Sequence, residues 1–236
     1  MENTKNALVI GATGGIGQAV VEELCGAGFH VVLASRNKEK LEELASSLPE
    51  GKSTIIPADI SSRESIENLF SQLEAKVKVP VETIVVAAGG WAPNGFDSDL
   101  ESFEENLSKM VVQNLTGPAV ALFAGAKYLK KQGGGILVNI SSHAVRKSLA
   151  GNLGYGPTKS GIFWFTQLLN DEAGETVRVT DIQPAVVNTE SMTKQLGQNA
   201  NKAIQPADIG KMVVLLTQLS PHTTVSEIHM DANYKF

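Results

Sequence analysis

The chain has 236 residues, a length that holds one large α/β domain with a sizeable core and would cramp two complete ones. Its net charge of −5 and pI near 5.4 argue against nucleic acid or an anionic membrane as the main partner. A single cysteine, Cys25, excludes an internal disulfide framework and a multi-cysteine metal site. On the apolar side of the first predicted helix, it reads as a small core residue.

Residues 1–6 are polar, resemble no signal peptide and run straight into the first strand. No apolar run approaches the ~20 residues of a membrane helix, so a cytoplasmic protein is the expectation. Residues 7–11 read as the first strand and 15–26 as the first helix, joined by Gly11-Ala12-Thr13-Gly14-Gly15-Ile16-Gly17. Glycines in such a turn let the backbone approach a phosphate, and the free N–H groups and dipole of the helix start favour its charge. A second strand over 29–34 leads to a helix over 38–48, where Leu41, Leu44 and Leu48 form one stripe. The third strand, 54–58, meets Pro57 near its end, and Ser61-Ser62-Arg63-Glu64 opens a helix that runs to 76.

The fourth strand, 81–88, ends at Gly89-Gly90, and two helices follow over 100–113 and 116–132. Three glycines turn into the fifth strand, 136–140; the helix after Gly154 carries Tyr155, Lys159, Ile162, Phe163 and Phe165. The sixth strand is 177–182, and the polar stretch 188–205 shows little pattern beyond a short helix. Pro206 starts a last helix to 219, and 224–230 is a seventh strand. With no repeat and no linker, strand–helix alternation predicts a single α/β domain over 1–236. The fold class is Rossmann-type and doubly wound, a seven-stranded parallel sheet with helices on both faces.

Chemistry is concentrated in Ser141-Ser142 and Tyr155-Gly156-Pro157-Thr158-Lys159. Tyr and Lys four apart share a helix face, one turn from each other. A cation there stabilises tyrosinate, and a tyrosine so placed can pass a proton to or from a substrate oxygen. Taken alone the pair arises often by chance; its setting, after a strand ending in two serines and downstream of a glycine turn, gives it weight. The four histidines, His30, His143, His222 and His229, show no ligand spacing, and no metal is expected.

These motifs resemble the short-chain dehydrogenase/reductase family, and the likeness covers nearly all of the chain. The residues that carry it are Gly11/Gly15/Gly17, Asp59, Gly89, Asn114-Leu115-Thr116-Gly117, Ser142 lying 13 residues before Tyr155, Lys159, and Pro184-Ala185-Val186-Val187-Asn188-Thr189. The resemblance implies Tyr155 as acid/base, Lys159 favouring its anion and holding the nicotinamide ribose, and Ser142 donating to the substrate oxygen. Asn114 is implied to hold a water that relays protons from Lys159. The family spacing selects Ser142 over Ser141. It places Gly11, Thr13, Gly15, Ile16, Gly17, Asp59, Ile60, Ala88, Gly89, Tyr155, Lys159, Pro184, Val187 and Thr189 with the cofactor. Trp91, His143 and Leu153, with Ser142, go with the substrate, Phe96 being a further wall candidate. For Trp91, Phe96 and His143 simple packing is the alternative.

The end of the second strand, Ala34-Ser35-Arg36-Asn37, has an arginine and no acid. Arg36 can pair with the 2′-phosphate of NADP, with Ser35 as a second donor, so NADP(H) is preferred and NAD(H) is the alternative. Gly14 adds nothing to that choice. The chain departs from the family at Val86-Ala87-Ala88-Gly89, which lacks an asparagine that usually braces the sheet; at Ala185 in place of glycine; and at Asp231-Ala232-Asn233, in a tail usually packed at a subunit interface. The segment after Thr189 is short, which suggests an open site. A second glycine register, Gly11/Gly14/Gly17, fits nucleotide-sugar epimerases or cofactor-sensing regulators, and a non-catalytic cofactor-binding protein is the other alternative. The expected partners are a small carbonyl or alcohol substrate and further copies of the chain, as a dimer or tetramer meeting through the helices near 100–132 and 155–170.

Overall fold

The computed structural model describes residues 5–77, 80–92, 94–148 and 150–234, without the side chains of 194 and 195. Residues 1–4, on which much of the N-terminal reading rests, lie outside the described residues. β1 (Asn6–Ile10) leads into α1 (Gly15–Gly26), β2 (His30–Ala34) into α2 (Lys38–Ser47), and β3 (Ser53–Ile55) into α3 (Arg63–Lys76). β4 (Val81–Val86) is followed by α4 (Leu100–Val111), a π-turn (Val112–Thr116) and α5 (Gly117–Lys131). β5 (Gly135–Ile140) leads through a short 3₁₀ turn (His143–Val145) to α6 (Tyr155–Ala173). After β6 (Val177–Pro184) come α7 (Glu190–Leu196), a second 3₁₀ turn (Gly197–Lys202), α8 (Pro206–Gln218) and β7 (Glu227–Met230).

The seven strands form one parallel sheet in the order β3-β2-β1-β4-β5-β6-β7. Side chains alternate across each strand, so the sheet feeds two apolar layers. Leu8, Ile10, Val32, Ile84 and Leu137 face α3, α5 and α6, where Ile66, Leu69, Leu122, Leu129 and Ile162 are buried. Val9, Val31, Leu33, Val85 and Val138 face α1, α2 and α8, against Val20, Leu24, Leu41 and Val213. Cys25 packs in this second layer, and burial pushes its thiol up despite the nearby Lys52.

Helix starts follow short polar side chains: Asn37, Ser62 and Asp99 accept from the N–H groups of Lys40, Ser65 and Ser102. Leu41 and Leu44 are buried as the stripe predicts, and Leu48 lies just past the end of α2 and packs on the same layer. Three elements differ from the sequence expectation. β3 is shorter: its regular pairing ends at Ile55, although the Ile56 and Ala58 N–H groups still donate to the Leu33 and Ser35 carbonyls, and Pro57 between them falls on the open side of an edge strand. β7, at the other edge, likewise pairs only over Glu227–Met230. The gap expected between helices at 113–116 is instead a wide π-turn, so α4 and α5 run on as one bent helix with Asn114 in the bulge.

Candidate functional site

Strand order reverses between β1 and β4, and a groove of about 690 Å³ opens at their C-terminal ends, where open α/β sheets take ligands. Gly11 and Gly14 line it. Gly11 has φ +88°, and a Cβ there would come within 2.7 Å of the Ala88 backbone nitrogen. A Cβ on Gly17 would overlap the Gly11 carbonyl oxygen, so the turn closes only with glycine at both places. α1 starts with no side-chain cap, which leaves its first N–H groups to an anion. Gly15 lies against Thr189, a Cβ there being 2.9 Å from the Thr189 methyl, so the loop after β6 closes over the turn.

One end of the groove holds Ser35, Arg36, Lys40 and Asp59. Thr13 and Ser35 hydroxyls are 2.6 Å apart, pinning the β1 turn to the end of β2. At the Asp59 carboxyl, burial acts upward, but the Ser61 N–H and hydroxyl and the Arg36 charge together hold it below the usual range. Lys40 escaped the sequence reading. Its signal was its place in the first turn of α2, just past Arg36 and the Asn37 cap, and both cations line the groove.

At the other end the groove runs past Ala88 to Gly89, where an added Cβ would lie 2.9 Å from Asn114 Oδ1 and 3.2 Å from Lys159 Nζ. Asn114 is fully buried; its Oδ1 accepts from the Gly90 N–H and its Nδ2 donates to the Gly90 carbonyl, both at 2.9 Å. Lys159 Nζ donates to the Ile140 carbonyl at 3.2 Å and lies 5.9 Å from the centre of the Tyr155 ring. Ser142 caps the turn after β5, accepting from the Ala144 N–H at 3.2 Å. Acting there as acceptor, it keeps its hydroxyl hydrogen for another group. Ser141, by contrast, donates to Asp181 at 2.5 Å.

The loops after β4 and β5 are joined. Asn94 and Asn152 form an isolated bridge, Leu153 N–H donates to the Asn94 carbonyl, and the Trp91 indole donates to Asn152. Trp91 and Leu153 are each about half exposed, whereas Phe96 stands 95% exposed. His143 sits in the 3₁₀ turn; burial pushes its imidazole below the ordinary range, Lys147 and His229 add to that, and Asp231 opposes it. Pro184 ends β6, buried Val187 bridges Ile204, and Ile60 lines the groove. Ile16 packs on the α1 layer instead.

Beside Ser141 lies a polar cluster that strand patterning passed over. Asp181 is completely buried and accepts from Asn139 Nδ2 at 2.6 Å as well as from Ser141. Burial pushes its carboxyl up to about 6, against the lowering influence of Ser141, Asn139 and the Lys159 charge. Gln183, two residues on, accepts from Arg146, which also pairs with Glu227 at 2.5 Å. The available signal was a carboxylate, Asp181, in the middle of a predicted interior strand.

A family model described as short chain dehydrogenase matches residues 5–201, a span that contains every position just described from Gly11 to Thr189. The chain belongs to the short-chain dehydrogenase/reductase family. This oxidoreductase is 30% identical over 230 residues to an uncharacterised oxidoreductase of Staphylococcus aureus strain MW2, with 95% of each chain covered. It is similar to a short-chain type dehydrogenase/reductase from Mycobacterium ulcerans, with a TM-score of 0.85 at 26% identity over 96% of this chain and 88% of that one. A serine dehydrogenase complexed with NADP⁺ aligns with a TM-score of 0.84 at 27% identity, over 95% and 94% of the two chains. Among the described residues, no helix of this oxidoreductase is long and apolar enough to cross a membrane, and no group of three or more His, Cys, Asp or Glu is placed to hold a metal ion.

Proposed function

We propose that this short-chain oxidoreductase interconverts a carbonyl and a secondary alcohol with NADP(H), Tyr155 acting as general acid/base. The observation that carries the reading is the meeting of Asn114 and Lys159 at Gly89, with Tyr155 one helical turn away, at the inner end of a groove built for a dinucleotide. The groove fits that group: its glycine turn leads to the start of α1, which has no side-chain cap, and its outer end is cationic.

Gly11, Thr13, Gly15 and Gly17 would hold the pyrophosphate on the start of α1, Ile16 offering its backbone N–H while its side chain packs inward. Ser35 and Arg36, with Lys40 beside them, would take the 2′-phosphate through charge-assisted bonds. Asp59 and Ile60 would border the adenine, and Ala88, Gly89, Pro184, Val187 and Thr189 the nicotinamide half. A nicotinamide bound there supplies or takes up the hydride. Ser142 directs its hydroxyl hydrogen to the carbonyl oxygen as charge develops. Tyr155 gives that oxygen its proton, and the Lys159 ammonium, held by Ile140, stabilises the tyrosinate that remains. Asn114, fixed by Gly90, keeps the buried Lys159 in reach of a relay water. Trp91, Leu153 and His143 border the substrate, which enters between the two joined loops.

The test is NADPH oxidation against a panel of ketones, aldehydes, quinones and acyl thioesters, for the wild type and Arg36→Asp. We expect turnover with at least one class, and a ratio of kcat/KM for NADPH over NADH that falls roughly 10- to 100-fold in the variant. An unchanged ratio removes the argument for NADP(H). We also infer a homo-oligomer, joined through the outer faces of α5 and α6.

A further inference from the structure

Among the described residues Asp181 is the one fully buried carboxylate, and the roles assigned above leave it unused. Its position is fixed by sheet register. Asn139 of β5 pairs with Asp181 of β6, and the alternation that sends Leu137 and Val179 into the layer under α6 sends Asn139 and Asp181 to that face too. Lys159 reaches the same place from α6. Its ammonium is bonded to the carbonyl of Ile140, the residue lying between the two that donate to Asp181.

We propose that Asp181 is a positioning residue of the reductase site: it anchors the end of β5 through Asn139 and Ser141 and, opposite Lys159, moderates the positive field that acts on Tyr155. The proposal rests on the reading of Tyr155 and Lys159 as the proton-transfer pair. Ser142 follows Ser141 directly, so a carboxylate that fixes Ser141 also limits where the Ser142 hydroxyl can point. The other charged or titratable groups around the site are His143, Arg146 and Lys147 on the loop after β5, Glu227 and His229 on β7, and Asp231 beyond it. Arg146 and Glu227 pair with each other near the surface and are about half exposed, so solvent screens them. Lys159 and Asp181 are both buried, and charges there act on each other with little screening. With Asp181 neutral, the Lys159 field falls on Tyr155 uncompensated and favours tyrosinate.

The experiment is the pH titration of tyrosinate absorbance in the wild type and in Asp181→Asn, each corrected by its own Tyr155→Phe counterpart to remove Tyr128 and Tyr234. Asn keeps the size of the side chain and can still accept from Asn139 while donating to Ser141. The midpoint is expected roughly one pH unit lower in Asp181→Asn. A midpoint that stays in place or rises overturns the proposal, and a purely structural role would not shift it downward. Should the Asn variant fail to fold, Asp181→Ser makes the same test, since it too removes the carboxylate charge. Failure of the underlying reading looks different: carbonyl turnover then survives Tyr155→Phe, and the proposal falls with it.

Discussion

Burial lifts the Asp181 carboxyl from an ordinary 3.8 to about 6, and the sign of that shift sets its effect on stability. The protonated form is the one the fold favours, so its contribution is complete below about pH 4 and is lost as pH rises through about 6. Above that range the ionised group costs the native state roughly 3 kcal/mol. Asp181→Asn carries no such charge. Urea unfolding at pH 8 is expected to show the variant more stable than the wild type, with the difference closing at pH 4; an equal difference at both values contradicts the assignment. Residues of this kind explain the uneven legibility of the site. Tyr155, Lys159 and Ser142 announce themselves by spacing along the chain, because a helix turn or a strand end converts spacing directly into proximity. Asp181, Gln183 and Arg146 meet only through the β5–β6 register and a returning loop, which local sequence does not encode. Phe96 illustrates the converse: an aromatic after a strand looked like a pocket wall and stands almost fully in solvent.

The elements with the strongest local signals were the easiest to read. α2 and α3 are marked by a leucine stripe or a serine cap, and β1, β2 and β4 each end in an apolar run. Edge strands were overextended, since half of their pairing groups have no neighbour to hold them. The π-turn at Asn114 was visible only as a weak break, because a one-residue bulge leaves helical patterning nearly intact on both sides. Two helices also carry apolar residues that the fold does not cover. Val120 and Phe123 on α5, and Trp164 and Leu168 on α6, are between 39% and 63% exposed, and the two helices pack side by side. Exposed apolar surface of this extent marks an interaction face, in keeping with the proposed self-association. Light scattering is expected to give a dimer or tetramer of the 25.1 kDa chain, and Phe123→Glu with Trp164→Glu to give monomers. A wild type of monomer mass contradicts it.

At the scale of the whole molecule, one topological fact organises the rest. The reversal of strand order between β1 and β4 opens the groove, and each flank of that opening contributes different chemistry. β1 and β2 bring the glycine turn and the cations of Arg36 and Lys40; β4 leads to Gly89, against which Asn114 and the Lys159 ammonium of α6 lie. Alternating strand and helix signals were enough to predict this architecture, because parallel pairing demands a crossover helix after nearly every strand. The shape of the substrate end was not predictable in the same way. It depends on how the loops after β4 and β5 bond to each other through Asn94, Asn152 and Trp91, contacts made across more than fifty residues of chain. Whether Tyr155 moves the proton while the groove holds NADPH is decided by single-turnover oxidation of bound NADPH by a reactive carbonyl, in the wild type and in Tyr155→Phe, with the NADPH dissociation constant measured for both. The rate is expected to drop by roughly 10²- to 10⁴-fold, far more than NADPH affinity does; equal rates in the two proteins would contradict Tyr155 as the proton-transfer residue.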